Sequence, residues 1–238
     1  MKSVLHLSHS RGHANHGWLE SYHTFSFANY HDANRIHFGA LRVLNDDTVH
    51  GGKGFGTHPH KDMEIISIPL EGDLEHKDSM GNITVIREGD VQVMSAGTGV
   101  MHSEYNKNQD QPVKFLQIWV FPNKKGVQPR YDQISIRDVE KSNQFYQILS
   151  PNPEDQGVWI NQDAWFSLGK FDSGVKEKYV VKGQDSGVYF FVLEGEVEIN
   201  GQKLGRRDGL GIWEANEIEL TSLSFSQVLL MEVPMAFN

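Results

Sequence analysis

A short pattern that occurs twice does most to limit the fold. Leu70-Glu71-Gly72-Asp73-Leu74-Glu75 returns as Leu193-Glu194-Gly195-Glu196-Val197-Glu198. A turn signal follows each copy, Gly81-Asn82 in the first and Asn200-Gly201 in the second. Asn-Gly is a strong hairpin signal because both residues tolerate positive φ. Arg87-Glu88-Gly89-Asp90-Val91 then returns loosely as Arg206-Arg207-Asp208-Gly209-Leu210. Leu116-Gln117-Ile118-Trp119-Val120 returns as Leu229-Leu230-Met231-Glu232-Val233. Short apolar runs at 64–70, 83–86, 91–94 and 115–121 alternate with glycine-rich turns, and no helical period is sustained. The chain therefore reads as all-β, with two antiparallel units of one type in tandem. The polar stretch 123–130, holding Gly126 and Pro129, separates them as a linker. The expected units are 1–134 and 135–238.

The chain has 238 residues, a net charge of -9 and no cysteine. A disulfide scaffold and a zinc–thiolate site are excluded. The acidic balance argues against direct nucleic-acid binding, and Lys124-Lys125 reads as part of a solvated linker. No run approaches a membrane span, and residues 1–11 lack the apolar core of a signal peptide. A cytoplasmic location is the expectation.

All twelve histidines lie at or before His102, so a histidine-ligated metal site must come from the first unit. Two stretches stand out. Gly52, Gly54 and Gly56 precede His58-Pro59-His60, and Gly97 and Gly99 precede His102-Ser103-Glu104. Residues i and i+2 of a strand share a face, so each pair can reach one point. If the two strands face each other across a barrel, three imidazoles and a carboxylate converge. That set suits a divalent transition metal such as Fe(II), Co(II), Ni(II), Cu(II) or Zn(II). Four protein ligands leave open positions on an octahedral ion, the layout for inner-sphere oxygen chemistry or Lewis-acid catalysis. Glu64 is a competing carboxylate, either a ligand or a group orienting an imidazole. Pro59 places the first pair at a strand start or on an edge. The glycines let the backbone turn close to the metal.

Gln117 and Trp119, on one face with Phe115 and Phe121, are expected to line the cavity above the metal. His76 reads as a surface hairpin residue. His13, His16 and His23 read as hydrogen-bonding groups of the N-terminal segment. Residues 23–27 and 38–44 read as strands, the second ended by Asn45-Asp46-Asp47. Aligning the two Leu-Glu-Gly triplets puts His58 on Val181, His60 on Gly183 and Glu64 on Gly187. The second unit thus keeps the scaffold pattern and lacks the ligands, which leaves it a packing role or a partner surface.

The run from Gly52 through His58, His60 and Glu64, and the run from Gly89 through Ala96-Gly97-Thr98-Gly99 to His102 and Asn106, resemble the two cupin motifs. The glycine after Glu64 comes one residue late, at Gly72, and Ser95 stands where the second motif usually has proline. These departures, with Arg11-Gly12-His13-Ala14-Asn15-His16-Gly17-Trp18-Leu19, Phe25-Ser26-Phe27, Tyr30 and His102-Ser103-Glu104, are similar to the pirin family. The resemblance is dense in the first half and an outline in the second. It implies a bicupin, two jelly-roll (double-stranded β-helix) barrels face to face, with metal in the N-terminal one. It implies His58, His60, His102 and Glu104 as ligands, favouring Glu104 over Glu64. It implies Fe(II) as the usual cofactor, with Zn, Co, Ni, Mn or Cu tolerated. The activity implied is that of a quercetin 2,3-dioxygenase, opening the heterocyclic ring of a flavonol with O₂ and releasing carbon monoxide. Glu104 would also serve as general base for the 3-hydroxyl. The partners implied are thus a flavonol-like aromatic substrate and O₂, and a monomer is expected. The alternative is a metal-binding, redox-sensing regulatory protein that acts through a protein partner.

Overall fold

The computed structural model describes residues 1–237, built from strands with one 3-10 turn at Ser8–Ser10. Each half pairs a seven-stranded sheet with a four-stranded one. In the first half the larger sheet runs, in spatial order, Arg130–Ser135, Asp90–Ser95, Glu64–Glu71, Val113–Val120, Leu41–Val49, Leu19–His23 and Gly12–Asn15. Its smaller sheet runs Gly54–His60, Val100–Asn106, Asp73–Asp78 and Ile83–Arg87. The second half repeats the plan. Its larger sheet runs Lys2–His6, Gly209–Trp213, Ser186–Glu194, Ser226–Pro234, Trp165–Phe171, Phe145–Ser150 and Val158–Trp159. Its smaller sheet runs Lys176–Val180, Glu217–Ser222, Val197–Ile199 and Gln202–Leu204. The two barrels are jelly rolls, and the fold is a bicupin.

The first strand departs from a division at 134/135. Lys2–His6 pairs with Gly209–Trp213, the edge that Arg130–Ser135 covers on the corresponding strand of the first barrel. Residues 2–6 thus belong to the sheet of the second barrel. The N-terminal segment covers this edge and becomes the edge strand itself; it is short and starts on an exposed lysine, features that discourage unwanted pairing.

Alternation along the strands explains the packing. Ile66, Ile68, Leu116, Ile118 and Leu44 leave the first sheet on one face and meet Phe166, Tyr189, Phe191, Leu229 and Met231 of the second in one large cluster. The biggest apolar core therefore lies between the barrels, not inside either. The opposite faces fill the barrel interiors, and these differ. The second interior is an apolar core of Val188, Phe190, Val192, Leu210, Val228 and Leu230 with its neighbours. The first has apolar layers at its two ends, one around Phe115 and Leu74 and the other around Ile65 and Met94. Between them lies a polar layer. Burial on both faces is also why residues 64–70 read as a continuous apolar run rather than an alternating one.

Among the described residues no helix is long and apolar enough to cross a membrane.

Candidate metal centre

His58 and His102 do not face each other across the barrel. They lie side by side, because Gly54–His60 and Val100–Asn106 are hydrogen-bonded neighbours with His102 opposite His58. Gly54–His60 is the sheet edge, the place where Pro59 costs no ladder bond. A register shift between His102 and Glu104 sets Glu104 opposite Phe55. There Gly54 lies directly over the backbone of Glu104 and Tyr105, and a side chain would collide with it. This close crossing, rather than a turn, is what the glycine serves. Gly97 has φ of +47° and packs on the Val127 carbonyl, so it shapes the turn before His102.

The three imidazoles converge. Ring centroids are 4.9 Å apart for His58 and His60, 4.5 Å for His58 and His102, and 4.8 Å for His60 and His102. Their ligand atoms lie within 4.8 Å of one another. Glu104 is not in that set; it groups instead with His102 and His76. Both groups therefore share His102. Glu104 is buried and accepts hydrogen bonds from Ser67 Oγ at 3.1 Å and Gln117 Nε2 at 2.8 Å. Burial pushes its carboxyl up to about 7, against the pull of those two bonds.

The bond pattern also assigns the free nitrogens. His58 Nδ1 donates to the Gly56 carbonyl at 2.7 Å, which leaves Nε2 as the bare nitrogen. His76 Nε2 donates to Asp78 Oδ2 at 3.0 Å. His76 Nδ1 can then accept from His102 Nδ1, 3.4 Å away. His102 Nε2 is left buried and without a partner. An aspartate–histidine–histidine chain thus presents a lone pair at the point where the imidazoles meet. Burial, reinforced by the neighbouring rings, holds His102 down at about 2 and His60 at about 4, so both are neutral near pH 7. Neutral imidazole is the form that binds a metal.

His76 is therefore not on the surface: it is fully buried between Asp78 and His102. The His76-Lys77-Asp78 spacing repeats the i, i+2 device and was the available signal. Glu64 lies elsewhere. The strand breaks at Asp62, which has φ of +46°, and Glu64 starts a strand of the other sheet. There it accepts from Ser95 Oγ at 2.6 Å and Asn161 Nδ2 at 3.0 Å, tying the first barrel to the second half. It neither joins the imidazoles nor orients one.

A cavity of about 420 Å³ opens beside the site. His58, His60 and Glu104 line it together with Phe27, Tyr30, Phe55, Gln117 and Trp119. Trp119 meets His60 edge-on at 5.0 Å and Phe27 at 5.4 Å. Phe121 is not part of this wall. A register shift after Trp119 turns it out, and it stacks on Phe237 at 5.0 Å. Phe115 points inward but belongs to the end layer. His13, His16 and His23 line the cavity instead of only bracing the N-terminal segment. His13 bonds Glu20 at 3.2 Å, whereas His23 Nδ1 has no partner.

Asn45 and Asp47 do not end a strand. They sit within Leu41–Val49 and line the same cavity. Asp47 is buried, accepts from Ser21 Oγ, and is pushed up to about 7 by burial. The native state therefore keeps the Asp47 proton up to about pH 7, while the unfolded chain releases it near pH 4. Between those values the native state binds more protons, so this group's contribution to stability is lost as pH rises. Asp47→Asn does not titrate. Relative to wild type it should gain about 1 kcal/mol or more between pH 4.5 and pH 7.5. Urea unfolding midpoints at the two pH values check this, and parallel pH profiles would contradict it.

A family model described as Pirin matches residues 4–120. One described as the quercetinase C-terminal cupin domain matches residues 147–233. The chain is 45% identical over 234 residues to a quercetin 2,3-dioxygenase of Escherichia coli K12, covering 97% of this chain and 98% of that one. The chain belongs to the pirin family. A pirin-like protein of Caulobacter vibrioides is 38% identical over 222 residues, covering 93% and 95%. The crystal structure of the pirin YhhW from Escherichia coli superposes with a TM-score of 0.94 at 42% identity, with each chain fully covered. That pirin has also been solved in complex with nickel(II), which superposes at 0.93 over 99% of this chain and all of that one.

Proposed function

We propose that this pirin is a metal-dependent dioxygenase that opens the heterocyclic ring of quercetin-like flavonols with O₂. The reading places the metal on His58, His60, His102 and Glu104, with the second barrel as a ligand-free scaffold and the protein in the cytoplasm. One observation carries it: three imidazoles, one with an orphaned buried nitrogen, meet beside a buried carboxylate at the mouth of an aromatic cavity. The donor set fits a borderline divalent ion, because it combines neutral nitrogens with one anionic oxygen. The relative named quercetin 2,3-dioxygenase supports the activity, and the nickel-bound pirin supports the binding of a divalent metal.

A redox-active ion at this position, Fe(II) in this reading, supplies the electron exchange with O₂ that side chains lack. The remaining tasks fall to the chain. Phe27, Tyr30, Phe55 and Trp119 hold a flat ring system and exclude water. Glu104, held between Ser67 and Gln117, takes the proton of the substrate hydroxyl. Asp78 and His76 hold His102 in the tautomer that presents Nε2.

The test is anaerobic loading with Fe(II) followed by quercetin and O₂. Equal losses of quercetin and O₂ with release of carbon monoxide are expected, and the zinc-loaded protein should be inert because zinc does not change valence. A fully iron-loaded protein that consumes no O₂ would overturn the enzyme reading in favour of a regulatory one.

A further inference from the structure

The polar layer of the first barrel is a single row of cross-strand neighbours. His23 lies opposite Asn45, Asn45 opposite Gln117, Gln117 opposite Ser67, and Ser67 opposite Gln92. Directly opposed residues of an antiparallel sheet share a face, so all five point into the barrel. The second barrel offers a built-in comparison. Its corresponding row reads Gln147, Ser167, Leu230, Phe190 and Leu210. The second barrel thus keeps polar residues, Gln147 and Ser167, at the positions of His23 and Asn45 but fills the positions of Gln117, Ser67 and Gln92 with apolar ones, so the unbroken polar row is a feature of the first barrel and not a need of the fold.

Part of this row serves Glu104, through Ser67 and Gln117. The other part does not. Gln117 spends its Nε2 on Glu104, so its Oε1 must face elsewhere, and that oxygen is buried without a partner. Asn45 Oδ1 and His23 Nδ1 are likewise buried and unpartnered. Asn45 is 2% exposed, His23 3% and Gln117 8%, and all three line the cavity. Asp47, one step along the same strand face from Asn45, also lines it. Unpaired buried acceptors are costly, and native structures rarely tolerate several together. These atoms belong to the lining of a cavity to which Phe27, Tyr30, Phe55 and Trp119 contribute aromatic surface.

We infer that the His23–Asn45–Gln117 row, with Asp47 beside it, is a second recognition point that takes a ring hydroxyl of the substrate as hydrogen-bond donor. It acts apart from the metal and selects hydroxylated aromatics over unsubstituted or O-methylated ones. The inference rests on the proposed function for its substrate class, and on the row alone for its chemistry.

The test uses zinc-loaded protein, which binds without turnover. Quercetin and 3-hydroxyflavone share the chelating 3-hydroxyl and differ in the other ring hydroxyls. Fluorescence titration should give quercetin about 2–10-fold tighter binding, the value of one hydrogen bond. In Asn45→Leu that preference should collapse while 3-hydroxyflavone binding stays unchanged. Equal affinities in the wild type, or a preference untouched by Asn45→Leu, would overturn the row while leaving the dioxygenase reading intact. A fragment pair that cannot chelate, 1,3-dihydroxybenzene against 1,3-dimethoxybenzene, followed by NMR, separates the two ideas. If neither flavonol binds but the diol outcompetes the diether in wild type and not in Asn45→Leu, the flavonol reading fails and the row stands. If the fragments bind alike as well, both fall.

Discussion

His102→Ala is expected to abolish metal retention and oxygen consumption together. His102 is the residue common to both candidate ligand groups, and its Nε2 is the buried nitrogen left without a partner. Removing a partner that only orients a ligand costs about 10–100-fold in metal affinity, so removing the ligand itself should cost more than ~100-fold. His76→Gln supplies the graded comparison. It keeps a polar group against Asp78 but breaks the imidazole chain, and it should weaken binding by about 10–100-fold without unfolding the barrel. Dialysis against a metal buffer followed by elemental analysis checks both variants. Full metal retention by His102→Ala would contradict the assigned centre.

Asp46→Ala should produce the largest loss of stability among single polar substitutions. Asp46 lies on the strand face turned toward the second barrel. Its Oδ2 accepts from Arg207 Nε at 2.9 Å and from Arg11 Nη1 at 3.3 Å. The two arginine side chains are only 8% and 7% exposed. The carboxylate is therefore the shared counter-ion of two cations held out of water. Breaking a buried pair from one side strands the other charge and costs about 3–5 kcal/mol. Arg137 reaches Asp90 at 3.8 Å with a side chain 58% exposed, and Arg137→Ala should cost no more than about 1 kcal/mol. Chemical unfolding of both variants decides the matter. Equal small losses would show that the contact between the barrels does not depend on the Asp46 cluster.

Asp46 also marks where sequence reasoning reached its limit. The internal repeat, the turn signals and the confinement of histidine to the first half led directly to two like barrels with one candidate centre. The i, i+2 spacing of His58 with His60 and of His102 with Glu104 placed those side chains on shared faces. The run Asn45-Asp46-Asp47 misled, because three polar residues in succession look like a turn. In the fold they alternate between a cavity, lined by Asn45 and Asp47, and a charged interface that holds Asp46. His76 misled for the same reason: a histidine beside lysine and aspartate looks solvated until its neighbours on the next strand are known. Pairing partners are long-range facts, and no local pattern revealed that His58–His60 and His102 lie on adjacent strands or that Lys2–His6 completes the far sheet.

The most direct measurement is anomalous scattering at the iron edge from crystals loaded anaerobically with Fe(II). The account predicts one peak per chain, within bonding distance of nitrogens of His58, His60 and His102 and of an oxygen of Glu104, with nothing in the second barrel. A peak held by His76 in place of His58 and His60, or no peak in fully loaded crystals, would contradict it.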